Sequence, residues 1–153
     1  MPTLIGDGFR GPEGHLGFLL RQAQHAMRTA IDRELRPLDL TGPQFSLLGI
    51  VHAEPGISGA DAARDGMLTA QTTNEVIVAL ERRALVERRP HPRDGRMRRV
   101  FLTPEGETAY AAAVARVRGL ERRTASGLTP AEVARLKAWL VACAQALENP
   151  ADH

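Results

Sequence analysis

Two β-prone runs with a turn between them interrupt a sequence that is otherwise patterned for helices. The runs at residues 85–89 and 98–102 carry β-branched or aromatic residues, and the Asp94-Gly95 pair between them is typical of a turn. We therefore predict a hairpin with a basic loop. The fold class that follows is mainly α with a small β-hairpin (α+β).

Capping residues, proline and glycine divide the rest of the chain into helices. Apolar residues recur every three or four positions from His15 to Leu35, which predicts a long amphipathic helix that ends at Pro37. Hydroxyl residues that suit helix N-caps begin five further helical patterns: Thr41, Ser58, Thr69, Thr103 and Thr129. Only three or four residues join the helix after Ser58 to the longer helix after Thr69, which is typical of a helix-turn-helix.

Length and composition favour one globular domain over residues 1–153. The chain is 43% apolar, which is enough for a core without disulfides or metal. Cys143 is the single cysteine, so an intramolecular disulfide and a cysteine-built zinc site are excluded. No run approaches the ~18 apolar residues that a bilayer requires, and no apolar signal core begins the chain. We expect a cytoplasmic protein without membrane contact.

Positive charge is concentrated in one segment although the net charge is only +2. Eight arginines lie between Arg82 and Arg99 against Glu87 and Asp94, a local charge of +6 in 18 residues. Such a segment is either a solvated surface or a site for a polyanion such as nucleic acid. The residues that flank this segment distinguish the two interpretations.

The residues around this segment follow a fixed pattern from Leu80 to Gly106. The positions that match in register are Asp94, Arg96, Leu102, Thr103 and Gly106. The pattern resembles the wing signature of MarR-type transcriptional regulators, and the resemblance extends more weakly over most of the chain. Ala84 stands where that family usually has glycine, and Glu75 where it commonly has a basic residue.

The resemblance implies a winged helix-turn-helix whose terminal helices form a dimer. It places the DNA-binding part at residues 41–102, with the wing at 86–102, and the dimerisation helices at 15–36 and 104–148. The apolar stripe of the last helix belongs either to a local core or to the dimer interface, which we favour. The expected dimerisation residues are Leu16, Leu19, Leu20, Val133, Leu136, Leu140 and Leu147.

Double-stranded DNA is the implied partner, and the residue types suit it. Gln71 and Asn74 can pair with adenine, while Glu75 either accepts from the cytosine amino group or is a plain surface charge. Arg96 suits an A·T-rich minor groove, and Asp94 is expected to hold a neighbouring arginine and to shape the wing. Arg88 and Arg89 are either phosphate contacts or solvated strand residues. The expected DNA-binding residues are Ser58, Thr69, Gln71, Thr72, Thr73, Asn74, Glu75, Arg93, Asp94, Arg96, Arg98 and Arg99.

The resemblance also implies, often, a small-molecule effector between the dimer and DNA-binding parts. His25 and His52 are candidates for its cavity, although ordinary helix histidines fit the pattern as well. Cys143 lies in an apolar stripe, which favours a small buried hydrophobe over a redox sensor. No cofactor, metal or catalytic arrangement is predicted.

The sequence therefore predicts a homodimeric, sequence-specific DNA-binding regulator, with a ligand-responsive repressor on an inverted-repeat operator as the favoured form. Two other classes stay open. A winged-helix module that binds an effector or a protein without recognising bases would explain Glu75. An enzyme is the weaker rival, because nothing in the sequence pairs an acid with a base.

Overall fold

The computed structural model describes residues 4–148, and the chain divides into two compact units, residues 1–118 and 119–153. Helix α5 (Pro104–Thr124) begins in the first unit and ends in the second.

Four helices precede the wing, the first where the apolar periodicity predicts it and the other three at the predicted caps. They are α1 (Leu16–Leu35), α2 (Gly42–Ala53), α3 (Gly59–Asp65) and α4 (Ala70–Arg82). Helix α2 begins with a full capping box, since Thr41 and Gln44 each accept a backbone N–H from the other. Two 3₁₀ turns flank α1, at Gly8–Arg10 and Arg36–Leu38.

The hairpin is part of a three-stranded antiparallel sheet. Strands β2 (Val86–Pro90) and β3 (Arg98–Leu102) pair as predicted, and β1 (Ile57–Ser58) pairs with the other edge of β3. The sequence did not indicate β1, because two residues are too few for a visible alternation. Its pairing gives β3 a neighbour on both sides and joins the start of α3 to the wing.

The core of the first unit joins the helices to the base of the sheet. Leu48, Val51, Leu80 and Val100 are at most 1% exposed and belong to one apolar cluster. The start of α5 is anchored there by Gly106, because a Cβ at this position would lie 1.9 Å from the Leu85 carbonyl oxygen. The glycine of the family pattern is therefore required by packing.

The second unit contains the end of α5 and helix α6 (Pro130–Glu148). Helix α6 begins with a reciprocal cap: Glu132 Oε2 accepts from the Thr129 backbone N–H at 2.7 Å and from its hydroxyl at 2.8 Å. These hydrogen bonds, the backbone one first, hold the pKa of the Glu132 carboxyl below its usual value. None of the α6 residues is buried.

Candidate nucleic-acid interface

Thr69, the residue before α4, caps the N-terminus of this helix. Thr69 Oγ1 accepts the backbone N–H of Thr72 at 3.1 Å and donates to the Thr72 hydroxyl at 2.9 Å. The connection from α3 is the four residues 66–69, as predicted. The two helices form a helix-turn-helix with α4 in the position of the recognition helix.

The exposed side of α4 presents three of the predicted base-contacting residues. Gln71, Asn74 and Glu75 are all exposed, and Gln71 Nε2 donates to Glu75 Oε1 at 3.2 Å. Thr72 is half-buried beside the cap. This side of α4 offers amide and carboxylate groups to a groove of DNA.

Thr73 was predicted to contact DNA, and this prediction is wrong. Its side chain is buried at 1% exposure, because position 73 lies one turn before Ile77 on the face of α4 that packs into the core. Its hydroxyl has no hydrogen-bond partner among residues 4–148. A side chain in this position cannot reach a nucleic acid.

Strand register gives the wing two different faces. Arg88 stands opposite Val100, so the two share a face with Arg98, which lies two residues before Val100 on β3. The other face carries Arg89 opposite Arg99 and Glu87 opposite Phe101. The arginines of the basic segment are thereby divided between two sides.

Arg88 joins the wing to α4. Its Nη2 donates to Asn74 Oδ1 at 3.0 Å, and its Nε lies 3.3 Å from Glu81 Oε2 in an ion pair without hydrogen-bond geometry. Because a guanidinium only donates, the Asn74 oxygen must face Arg88 and the amide NH₂ must face away. From the sequence the role of Arg88 stayed open, although the alternation of side chains along β2 and β3 is a signal that places Arg88 toward α4.

Arg89 is held on the opposite face. It pairs with Glu87, and its guanidinium lies 4.5 Å from the centroid of the Phe101 ring. A Cβ at Gly56 would lie 2.9 Å from that ring, so this face is closely packed against the turn before β1. Arg89 therefore has internal partners.

The tip of the wing is exposed and basic. Arg93, Arg96, Arg98 and Arg99 are all exposed. Asp94 was expected to hold a neighbouring arginine and shape the wing, and it holds Arg96 through the backbone, since Oδ1 accepts from the Arg96 backbone N–H at 3.0 Å. Asp94 thus shapes the turn and leaves the guanidinium of Arg96 extended to solvent.

Ser58 caps α3. Its Oγ accepts the backbone N–H of Asp61 at 3.1 Å and donates to Asp61 Oδ2 at 2.6 Å. The hydrogen bond from Ser58, followed by the positive charge of Arg64, holds the pKa of the Asp61 carboxyl below its usual value. The hydroxyl of Ser58 is therefore engaged within the chain.

The two histidines suggested for an effector site differ in their surroundings. His25 is exposed on α1. His52 Nδ1 lies 2.8 Å from Glu107 Oε2, and its ring centroid lies 4.8 Å from that of Tyr110. Two cavities border α1 and α2, of about 620 and 460 Å³, and neither histidine lines them.

The predicted dimerisation residues are largely uncovered within each unit. In the first unit Leu16 is 58% exposed, while Leu19 and Leu20 are half-buried. In the second unit Leu136 and Leu140 are each 43% exposed and Leu147 is 81% exposed, while Val133 is half-buried. Cys143 on the same helix is also half-buried, rather than fully buried as expected.

Residues 4–148 contain no group of three or more histidine, cysteine or acidic side chains that could hold a metal ion. No helix among these residues has the length and apolar character needed to cross a membrane.

Comparison with known proteins agrees with this architecture. The pattern of the MarR family matches residues 38–97. The "HTH-type transcriptional repressor Rv2887" of Mycobacterium tuberculosis is 33% identical over 125 residues, which cover 82% of this chain and 90% of that protein. The solved structures include the S. aureus MepR–DNA complex, with a TM-score of 0.79 and 26% identity over 86% of this chain and 98% of that one. PcaV of Streptomyces coelicolor, solved with its natural ligand, has a TM-score of 0.75 and 26% identity over 87% and 94%.

The helix-turn-helix, the basic wing and the three-stranded sheet define a winged-helix DNA-binding protein. With the likeness to Rv2887 over most of both chains, the chain belongs to the MarR family. It is a DNA-binding transcriptional regulator.

Proposed function

We propose that the protein is a homodimeric repressor that places α4 of each subunit in the major groove and each wing in the adjacent minor groove. The observation that carries this proposal is the shared exposure of Gln71, Asn74 and Glu75 beside a wing with four exposed arginines. The MepR–DNA neighbour supports it, because that protein was solved with DNA.

The side chains of α4 differ in what they offer to a base. Asn74 presents its amide NH₂, since its oxygen faces Arg88, and an amide donor suits the acceptors O6 and N7 of guanine or O4 of thymine. Glu75 accepts from Gln71 and retains a free oxygen that suits the amino group of cytosine or adenine. Recognition at these positions thus depends on a mixed donor and acceptor surface.

Most of the remaining predicted residues position the protein on the duplex, and Arg96 adds a preference for A·T-rich DNA. Arg93, Arg98 and Arg99 contact phosphates, and Arg96 enters the minor groove. Ser58, Thr69 and Thr72 contact the DNA backbone close to the helix N-termini that their hydroxyls hold in place. Contacts of this kind fix the register of the protein on the duplex.

Dimerisation uses the apolar side chains that each unit leaves uncovered. Exposed leucines on α1 and α6 are expected to meet their counterparts in a second copy, because large apolar side chains at a chain end need a partner surface.

A small-molecule effector would relieve repression by changing the spacing of the two α4 helices. PcaV, solved with its natural ligand, supports an effector. We place the protein in the cytoplasm with the chromosome and propose no catalytic activity.

Selection from a random duplex pool tests this function. The protein should enrich an inverted repeat and bind it with two chains per duplex. The logarithm of its affinity should fall linearly with the logarithm of salt concentration. Failure to enrich any duplex at low salt, while the folded protein captures another protein, would instead support the interaction module.

A further inference from the structure

A small cavity opens between α4 and the α4-facing side of the wing. Its volume is about 150 Å³, and it is lined by Gly59, Ala60, Ala70, Asn74, Ile77, Arg88, Arg98 and Val100. A water molecule takes ~30 Å³ in the liquid, so the cavity has room for a small polyatomic group. We name it the α4–wing pocket.

The polar lining of the α4–wing pocket is suited to an anion. Arg88 and Arg98 stand on the same face of the wing, and no acidic side chain lines the pocket. Arg98 is exposed and makes no side-chain hydrogen bond or ion pair with any residue that the structure describes. Arg88 is 25% exposed and is held by its ion pair with Glu81 and by one hydrogen bond to Asn74, which uses one of its five N–H donors.

The location of the pocket identifies the source of the anion. If α4 lies in the major groove and the wing lies in the minor groove, one sugar-phosphate backbone must pass between them. The pocket occupies that space. We infer that it receives one DNA backbone phosphate per half-site, bound by Arg98 and by the outward N–H groups of Arg88. This inference depends on the proposed function, since it names the contact that fixes the docking of α4.

Arg88 is then a positioning residue as well as a phosphate ligand. The same guanidinium that faces the phosphate also holds the Asn74 amide at 3.0 Å, so occupancy of the pocket and the direction of Asn74 are linked. Loss of Arg88 should therefore weaken both phosphate binding and base preference at the position facing Asn74. Loss of Arg98 should weaken phosphate binding alone.

The test combines variants of the full-length protein with single neutral phosphates in the duplex that the wild type selects. Arg98→Ala should lower affinity about tenfold and reduce the salt slope by about one per half-site. A methylphosphonate at the contacted phosphate of each half-site should cause at least as large a loss in the wild type, and a smaller loss in Arg98→Ala, where Arg88 is the only pocket arginine that remains. Arg21→Ala, which removes an exposed arginine of α1, is the matched control and should leave affinity unchanged.

Arg88→Lys separates charge from geometry. It keeps the charge but cannot make the forked contacts, so it should retain the salt slope and lose preference at the base facing Asn74. Unchanged base preference in Arg88→Lys and Arg88→Ala would overturn the link to Asn74. The circular dichroism spectrum of each variant verifies that it is folded.

Three outcomes distinguish the claims. Binding by the wild type with no phosphate at which methylphosphonate and Arg98→Ala overlap would overturn the pocket and leave the proposed function intact. Selection of no duplex by the wild type would overturn both. At matched ionic strength, inorganic phosphate should displace the duplex no better than chloride; selective displacement that Arg98→Ala abolishes would assign the pocket to a free ion instead.

Discussion

Individual side chains near α4 divide into those with internal partners and those without. Arg88 and Arg89 have partners within the chain, whereas Arg98 has none among the described residues. Thr73 is the reverse case, a polar group that is buried without a partner.

Thr73→Val should stabilise the protein by about 1 kcal/mol, because it removes a buried hydroxyl that lacks a hydrogen bond at nearly constant volume. DNA affinity should stay unchanged, since the side chain does not reach the surface. Chemical denaturation and a DNA titration measure the two quantities. Thr72→Val is the comparison: it loses a hydrogen bond to Thr69 and should not stabilise. Reduced DNA affinity in folded Thr73→Val would restore the original DNA-contact prediction.

Ala84→Gly should also stabilise, by about 1 kcal/mol. Ala84 has a φ of +53° in the turn that ends α4, where Leu85 N–H bonds to Leu80 O, and glycine adopts this conformation without steric cost. Ala111→Gly, at an exposed position inside α5, is the matched control and should destabilise by about 1 kcal/mol. Equal losses in the two variants would show that Ala84 is not strained.

Secondary-structure elements were predictable where their signals are local. The caps at Thr41, Ser58 and Thr69 marked the helix starts, since capping is a contact within four residues. The side that Thr73 faces was not predictable, because it depends on tertiary packing. The sequence predicted an arginine partner for Asp94 but not that the backbone N–H of Arg96 is the group held, because this depends on turn geometry. The role of Arg88 required the register of β2 and β3, which the sequence suggests but does not fix.

Helix α3 should be sensitive to acid through Asp61. Its folded pKa lies below the usual 3.8, so its stabilisation is complete above that pH and is lost as the pH falls through the lowered pKa. Asp61→Asn should therefore melt below the wild type at pH 7, and the gap should close below pH 3.8. Asp65→Asn, which removes a carboxylate without a hydrogen bond among residues 4–148, is the control for net charge. A gap that is constant over this pH range would rule out the Ser58 to Asp61 cap as its cause.

The wing should contribute binding energy through its tip. Arg96→Ala is expected to cost ~1–3 kcal/mol of operator binding, because the extended guanidinium loses its minor-groove contact. Fluorescence anisotropy with an A·T-rich and a G·C-rich flank measures the loss, which should be larger for the A·T-rich flank. An equal, small loss on both flanks would place Arg96 outside the minor groove.

The whole molecule acts as a regulator only if two copies hold their α4 helices at a fixed separation. A two-fold dimer on an inverted repeat requires half-sites about 34–36 Å apart, one turn of DNA, so that both helices enter the same side of the duplex. The uncovered leucines of α1 and α6 supply apolar surface for such a dimer. Any effector that changes the separation would weaken both half-sites together.

A half-site spacing series tests this arrangement most directly. Affinity is measured for the selected operator and for operators with about five base pairs, half a turn, inserted between the half-sites. The account predicts tight binding by two chains to the selected spacing and, after the half-turn insertion, a fall to the affinity of a single half-site. Equal affinity at both spacings, or binding by one chain at each, would contradict it.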